Sequence, residues 1–407
     1  MQKKKVYAVS TAHLDTVWRW DLRKTIEEYL PDTLRKNFDL IERYPDYCFN
    51  FEGAFRYQLI EEYYPLAFAE IQNLVKRGNW YPAGACYENG DVNIPSPEAL
   101  FRNILLGNRY FQEKFGVQSK DIFLPDCFGF GQALPSVMKY AGLLGFTTQK
   151  LSWGSAYGVP FTLGYWQGVD GSRVLACPNA RSYRSKFSGD LRGEVSVIDD
   201  VAKNAFEGGL PYAQHLYGTG DIGGAPTEES VQCVCASAAE NGQKDFDVIS
   251  AQSDQIFKDI DALPDSDKDR LPVWNNELLM TSHGAGGYTA RAMGKRLNRQ
   301  CEVLADVAES TLSTAELLGV YTYPQETVTK AWERLIQHQF HDDLPGTSNM
   351  DIYNTGWNDY HTSLVQLQGE YTGAVGAIAN QLDTGWVTDC ALIVHNPLPF
   401  ARTESVE

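Results

Sequence analysis

The alternation of short apolar runs with longer amphipathic ones constrains this chain most. Over the first 280 residues, runs rich in β-branched and aromatic residues at 5–11, 47–51, 121–124, 147–151, 212–217, 248–251 and 273–279 alternate with helical patterns such as 31–44, 66–77 and 96–115. Ser96, Pro97 and Gly116 punctuate the last of these as N-cap, first turn and terminator. Strand–helix alternation predicts an α/β domain with a mostly parallel sheet, because parallel strands need a crossover long enough to hold a helix. Ligands of such sheets gather beyond the carboxyl ends of the strands. After about residue 285 the texture changes. Residues 289–318, 326–341 and 358–381 favour helix, and their connections at 319–324 and 344–354 carry Gly or Pro. A three-helix unit is expected there. Residues 390–400 read as a strand followed by a turn, and a lone strand lacks a partner. The expected layout is therefore an α/β domain over 1–284, a three-helix domain over 285–385, and over 386–407 the start of a truncated C-terminal β-rich domain.

Composition excludes several function classes. Of the 407 residues, 43% are hydrophobic and 21% charged, the balance of a folded globular protein. With 35 Lys and Arg against 52 Asp and Glu, the net charge is −17, which disfavours nucleic acid and anionic membrane as partners. The 9 Trp, 22 Tyr and 19 Phe suit the flat face of a carbohydrate, and equally a large core. Eight scattered cysteines form no C-x-x-C pair and read mostly as reduced core residues. No leader-like apolar segment follows the basic start, no run approaches the length of a membrane span, and no Asn-x-Ser/Thr acceptor occurs. The expectation is a cytoplasmic protein without membrane contact; self-association is left open.

Four segments carry residues suited to chemistry. In Ala12-His13-Leu14-Asp15 a strand delivers an imidazole and a carboxylate at i and i+2, on one side of an extended chain. That pair suits a divalent metal such as zinc, or is a plain surface turn. In Leu124-Pro125-Asp126-Cys127-Phe128-Gly129, Asp126 sits just past an apolar strand, where an α/β fold places reactive groups; tightening the turn is its ordinary role. In His338-Gln339-Phe340-His341-Asp342-Asp343, the two histidines are expected to share one face of a helix that Pro345-Gly346 ends. A solvated helix end explains them equally. The loop Gly218-Thr219-Gly220-Asp221-Ile222-Gly223-Gly224 carries an acid where a phosphate-binding loop would avoid one. Asp221 in a mobile glycine setting suits a proton donor; a flexible turn is the alternative.

Taken together and in order, these segments resemble glycoside hydrolase family 38, the α-mannosidases. Further likeness lies in Asn93-Ile94-Pro95-Ser96, Thr148-Gln149-Lys150-Leu151-Ser152-Trp153, Gly168-Val169-Asp170-Gly171, Lys295-Arg296-Leu297-Asn298-Arg299 and His395-Asn396-Pro397-Leu398. The resemblance implies a retaining exo-α-mannosidase acting on mannose-containing oligosaccharides, with one divalent cation, zinc foremost. By position it implies His13, Asp15, Asp126 and His341 as metal ligands, the last contributed, with Asp342, by the three-helix domain. Asp126 would also be the nucleophile and Asp221 the acid/base. Trp18 would stack on the sugar, Asp342 would hold its hydroxyls, and Lys150 and Trp153 would line the pocket. Two stretches depart from the family pattern. Ser282-His283-Gly284 leaves His283 no role beyond a site wall, and Glu88-Asn89-Gly90-Asp91 replaces a tighter acidic pair. Rival readings are a metal-dependent carbohydrate deacetylase, in which Asp126 activates water, and an inactive sugar-binding relative or fragment of low activity.

Overall fold

The first strand, β1 (Lys4–Ala12), is buried from Val6 onward, and its successive side chains enter two different cores. Val6, Ala8 and Ala12 join one apolar cluster, Tyr7 and Val9 another, as the twofold repeat of an extended chain requires. A strand apolar on both faces needs cover on both, and here helices cover one side and other strands the other. The computed structural model describes residues 2–405.

Strands β2 (Phe49–Glu52), β3 (Trp80–Ala83), β4 (Asp121–Phe123), β5 (Gly129–Phe130), β6 (Gly145–Thr147), β7 (Gly164–Gln167), β8 (Arg173–Cys177), β9 (Tyr212–Thr219), β10 (Phe246–Ser250), β11 (Val273–Trp274) and β12 (Leu278–Leu279) complete the set among the described residues. In one sheet β1 pairs in parallel with β9, β10 and β2, and β2 with β3. The other runs β11–β7–β8–β6–β4, parallel except between β7 and β8. Both seams between the sheets are hydrogen-bonded. Ala85 N–H donates to the Asp121 carbonyl beside β3 and β4, and Leu216 N–H of β9 donates to Ala180, just past β8. The strands β1, β2, β3, β4, β6, β8 and β9 thus form a ring around the second apolar cluster, where Tyr7, Val9, Phe123, Leu175, Cys177 and Leu216 meet. The carboxyl ends of β1, β4, β6, β8 and β9 lead into the loops that carry the candidate site.

Helix Pro97–Phe115 is capped as expected: the Ser96 side chain accepts from Ala99 N–H at 3.2 Å, and Gly116 ends it in a left-handed turn. Helices Ala292–Leu317, Gln325–Gln337 and Met350–Ala379 pack on one another through Leu297, Cys301, Trp332, Leu335 and Leu367. No helix among the described residues is long and apolar enough to cross a membrane. Five of the cysteines are buried as free thiols.

Several expected boundaries are corrected. The strand expected over 147–151 ends at Thr147, because the Thr148 hydroxyl accepts Lys150 N–H at 3.2 Å and turns the chain into a short helix, Lys150–Trp153. The run 273–279 is broken at Asn276, whose side chain accepts Glu277 N–H, leaving β11 and β12 in different sheets. The helix expected to reach His341 stops at Gln337, and the third helix begins at Met350 rather than 358. Residues 391–397 form no strand; with no sheet edge beside them, Leu392 stays 83% exposed.

Gly107, within helix Pro97–Phe115, lies on the β3–β4 seam: a Cβ there would stand 2.2 Å from the Ala85 carbonyl oxygen and 2.4 Å from the Cys86 carbonyl carbon. Gly→Ala inside a helix ordinarily stabilises by about 1 kcal/mol. Here backbone must move, and overpacking costs about 1–3 kcal/mol. Gly107→Ala is therefore expected to lower the denaturant midpoint, and a raised midpoint would show that the helix is free to shift.

Candidate active site

The site is built from the end of β1 outward. His13 and Asp15 leave the strand together, and the loop after β9 runs antiparallel beside them. His13 N–H donates to Thr219, Asp15 N–H to Asp221 and Gly223 N–H to His13, at 3.1, 2.8 and 3.1 Å. The glycine-rich loop is therefore stitched down, which corrects the expected mobile setting of Asp221. Its anchoring holds Asp221 at φ 68°, a left-handed conformation that Asp tolerates better than most residues. Gly220 is needed beside it, since a Cβ there would fall 1.9 Å from the Tyr183 ring.

His341 arrives from the far end of the sequence. Past the helix ending at Gln337, Asp91 N–H donates to the Gln339 carbonyl and His341 N–H to Asn89, so the chain enters a β-bridge between Phe340 and Gly90 instead of continuing the helix. The two histidines consequently part company. His338 pairs with Asp343 at 2.7 Å and Asp359 at 2.9 Å, away from His341.

His13, Asp15, Asp126 and His341 are all buried and offer ligand atoms that lie within 4.8 Å of one another. Two features test the fit of a cation. His341 Nε2 is buried without a hydrogen-bond partner, 3.3 Å from Asp15 Oδ1 and 3.7 Å from Asp126 Oδ2. The other ring nitrogens are engaged from behind: His13 Nδ1 lies 2.7 Å from Glu52 Oε1, and His341 Nδ1 lies 2.8 Å from the Asn89 carbonyl. Both contacts aim Nε2 at the cluster, the arrangement that metal-binding histidines use. Two imidazoles and two carboxylates suit a borderline divalent cation. The residues present fit.

The electrostatics agree. Burial opposes charge on His13, yet its hydrogen bonds to Asp15 and Glu52 raise it to about 9. Burial likewise opposes charge on Asp126, but the neighbouring His341 imidazole and the charges of Lys150 and His13 hold it well below the usual carboxylate range. A proton on the imidazoles and a cation among the four ligands are alternative ways of balancing the same carboxylates. Asp342 is pushed up to about 7 by burial and by the Asp15 carboxylate, while its Oδ1 accepts from the Thr347 hydroxyl at 2.5 Å.

A cavity of about 250 Å³ opens in front of this cluster. Asp15, Trp18, Asp126, Lys150, Trp153, Asp221 and Asp342 all line it, with His13 and His341 buried directly behind. Lys150 Nζ pairs with Asp126 and stands 4.8 Å from the Trp153 ring centre. His283 lines the cavity as well, 4.7 Å from Trp153, as the wall residue the sequence suggests.

Sequence reasoning missed Glu52, Arg56, Tyr183 and Arg184. Arg56 is fully buried, donates to the Leu14 carbonyl between His13 and Asp15 at 2.9 Å, and pairs with Glu88 at 3.0 Å. Glu88 in turn accepts from the Thr16 hydroxyl at 2.7 Å. Glu52 left a signal, an acid closing the aromatic strand Phe49-Asn50-Phe51-Glu52. The Tyr183 hydroxyl stands 3.2 Å from Asp126 Oδ1 and 3.1 Å from Asp221 Oδ1, and Arg184 pairs with Asp221 Oδ2.

Residues 3–277 match the family model for the glycosyl hydrolases family 38 N-terminal domain. The chain belongs to glycosyl hydrolase family 38. Residues 283–378 match the model for the alpha mannosidase middle domain. Relatives include the Homo sapiens protein named alpha-mannosidase 2C1, 30% identical over 98% of this chain and 37% of that protein. The Saccharomyces cerevisiae alpha-mannosidase is 31% identical over 86% of this chain and 32% of its own length. This chain therefore spans about a third of the curated relatives it matches. An alpha-mannosidase from Enterococcus faecalis V583 shares the fold, with a TM-score of 0.77 at 21% identity, covering 94% of this chain and 43% of that one.

Glu52→Gln removes the charge behind His13 while keeping its shape. Loss of such a supporting carboxylate weakens metal retention by about 10–100-fold, measurable by chelator competition with zinc. Unchanged affinity would remove Glu52 from that role.

Proposed function

We propose that this chain carries the catalytic centre of a retaining exo-α-mannosidase, which removes terminal α-D-mannosyl residues from oligosaccharides or glycans. The observation that carries this reading is the shared phenol. With Tyr183 Oη 3.2 Å from one carboxylate oxygen and 3.1 Å from the other, the Oδ1 atoms of Asp126 and Asp221 are at most 6.3 Å apart, the two contacts laid end to end. Retaining glycosidases hold their carboxyl groups about 5–5.5 Å apart, whereas inverting enzymes need about 6.5–9.5 Å to seat a water. The family membership supplies the sugar class.

In the first step Asp126, kept ionised by Lys150, attacks the anomeric carbon. The bond to the leaving oxygen breaks, and Asp221 gives that oxygen its proton. In the second step Asp221 takes a proton from water, whose oxygen attacks the same carbon and frees Asp126. Trp18 offers an aromatic face to the sugar, with the Arg19 guanidinium over its ring, 4.1 Å from the centre. Asp342 can accept from sugar hydroxyls. A divalent cation, zinc foremost, held by His13, Asp15, Asp126 and His341 would supply positive charge for the sugar's hydroxyls and for ionised Asp126.

An activated fluoro-mannoside, followed by proteolysis and mass spectrometry, is expected to leave its sugar on Asp126. Turnover of ordinary mannosides without any trapped adduct would point instead to attack by water, as in the deacetylase-like alternative. Asp221→Asn should slow mannosides with poor leaving groups by about 10²–10⁴-fold and activated aryl mannosides much less. Equal slowing of both would end the acid/base assignment.

A further inference from the structure

The cavity of about 250 Å³ falls below the ~300–1,000 Å³ that encloses a drug-sized ligand. A volume below that range does not enclose a whole oligosaccharide. The leaving portion of an oligosaccharide must therefore stand outside it, against the carboxyl group that reaches the glycosidic oxygen. That group, on the reading above, is Asp221, and its two oxygens face opposite ways. Oδ1 meets the Tyr183 hydroxyl, which is shared with Asp126 on the inner side. Oδ2 meets Arg184, whose side chain is 51% exposed, whereas Tyr183 is 1% exposed.

Two consecutive residues thus serve the inner and outer sides of one carboxylate. Balancing the Asp221 charge uses only one end of the outer one, and an ion pair this exposed contributes little to stability. A guanidinium carries five N–H donors in a rigid planar fork, and Oδ2 accepts from the NH2 end only. Neighbouring hydroxyls on a sugar ring offer acceptors at a spacing such a fork can bridge. Arg184 lines the same cavity and is half-exposed beside Asp221.

We propose that Arg184 is the specificity-determining residue for the leaving group, binding hydroxyls of the sugar on the far side of the cleaved bond. The proposal rests on the mannosidase reading, and its test separates the two. The zinc-loaded full chain, as wild type, Arg184→Met and Arg184→Lys, is titrated calorimetrically with methyl α-D-mannoside, a single ring. The same proteins are titrated with a sulfur-linked α-mannobioside, two rings that cannot be cleaved. Wild type is expected to bind the two-ring probe about tenfold more tightly. Arg184→Met should lose that gain, keep its affinity for the single ring within about twofold, and unfold at the wild-type temperature. Arg184→Lys, with a point charge in place of the fork, should recover only part of it. A gain retained in Arg184→Met, or equal weakening of both probes, would overturn the proposal. So would a wild type that binds both probes equally, which would leave the mannosidase reading intact. A wild type that binds neither probe would reject that reading and this inference with it.

Discussion

Four carboxylates, those of Asp15, Asp126, Asp221 and Asp342, line one small cavity, and most of what surrounds them offsets that crowding of negative charge. Like charges in a poorly solvated place are costly unless each finds a partner. Asp126 has Lys150, Asp221 has Arg184, and Asp15 lies between His13 and His341. Asp342 has only His341, 4.0 Å away and shared with Asp15, and shifts toward its protonated form. A bound divalent cation would complete the balance at the point where Asp15 and Asp126 converge with the two imidazoles.

The fold makes such crowding affordable by bringing the partners in on rigid strand ends. The ring of strands fixes the exits of β1, β4, β6, β8 and β9 at one rim, and only short segments separate each exit from its functional side chain. Behind the rim, Arg56 and Glu88 tie the His13–Thr16 segment by its backbone and by the Thr16 hydroxyl. The placement of His13 and Asp15 is thus set by groups that never face the cavity.

How much of this was readable in the sequence depended on distance along the chain. His13 and Asp15 were legible because a strand end states both their side and their spacing, and Asp126 because it follows an apolar run. The parallel α/β layout was legible for the same local reason. β3 was not, since Pro82 lies inside it and Trp80-Tyr81-Pro82-Ala83 lacks a strand's alternation. The end of the helix at Gln337 was also hidden, because the hydrogen bonds that unwind it come from Asn89 and Asp91, far away in sequence. Asp221 and His341 took on meaning through likeness to the family rather than through any local pattern. Tyr183 and Arg184 sit in an irregular loop without periodicity, and only the folded chain brings them to the two carboxylates.

The β-bridge that carries His341 to Asn89 has a consequence for folding. It joins Gly90 to Phe340, far apart along the chain, and contacts of such long range form late, after the loops between them have been closed. The strand ring can assemble its own seams earlier, yet until the helices dock it holds a half-built cluster with one imidazole missing. Competence for chemistry should therefore appear in a single late step during refolding, well after most of the secondary structure has formed.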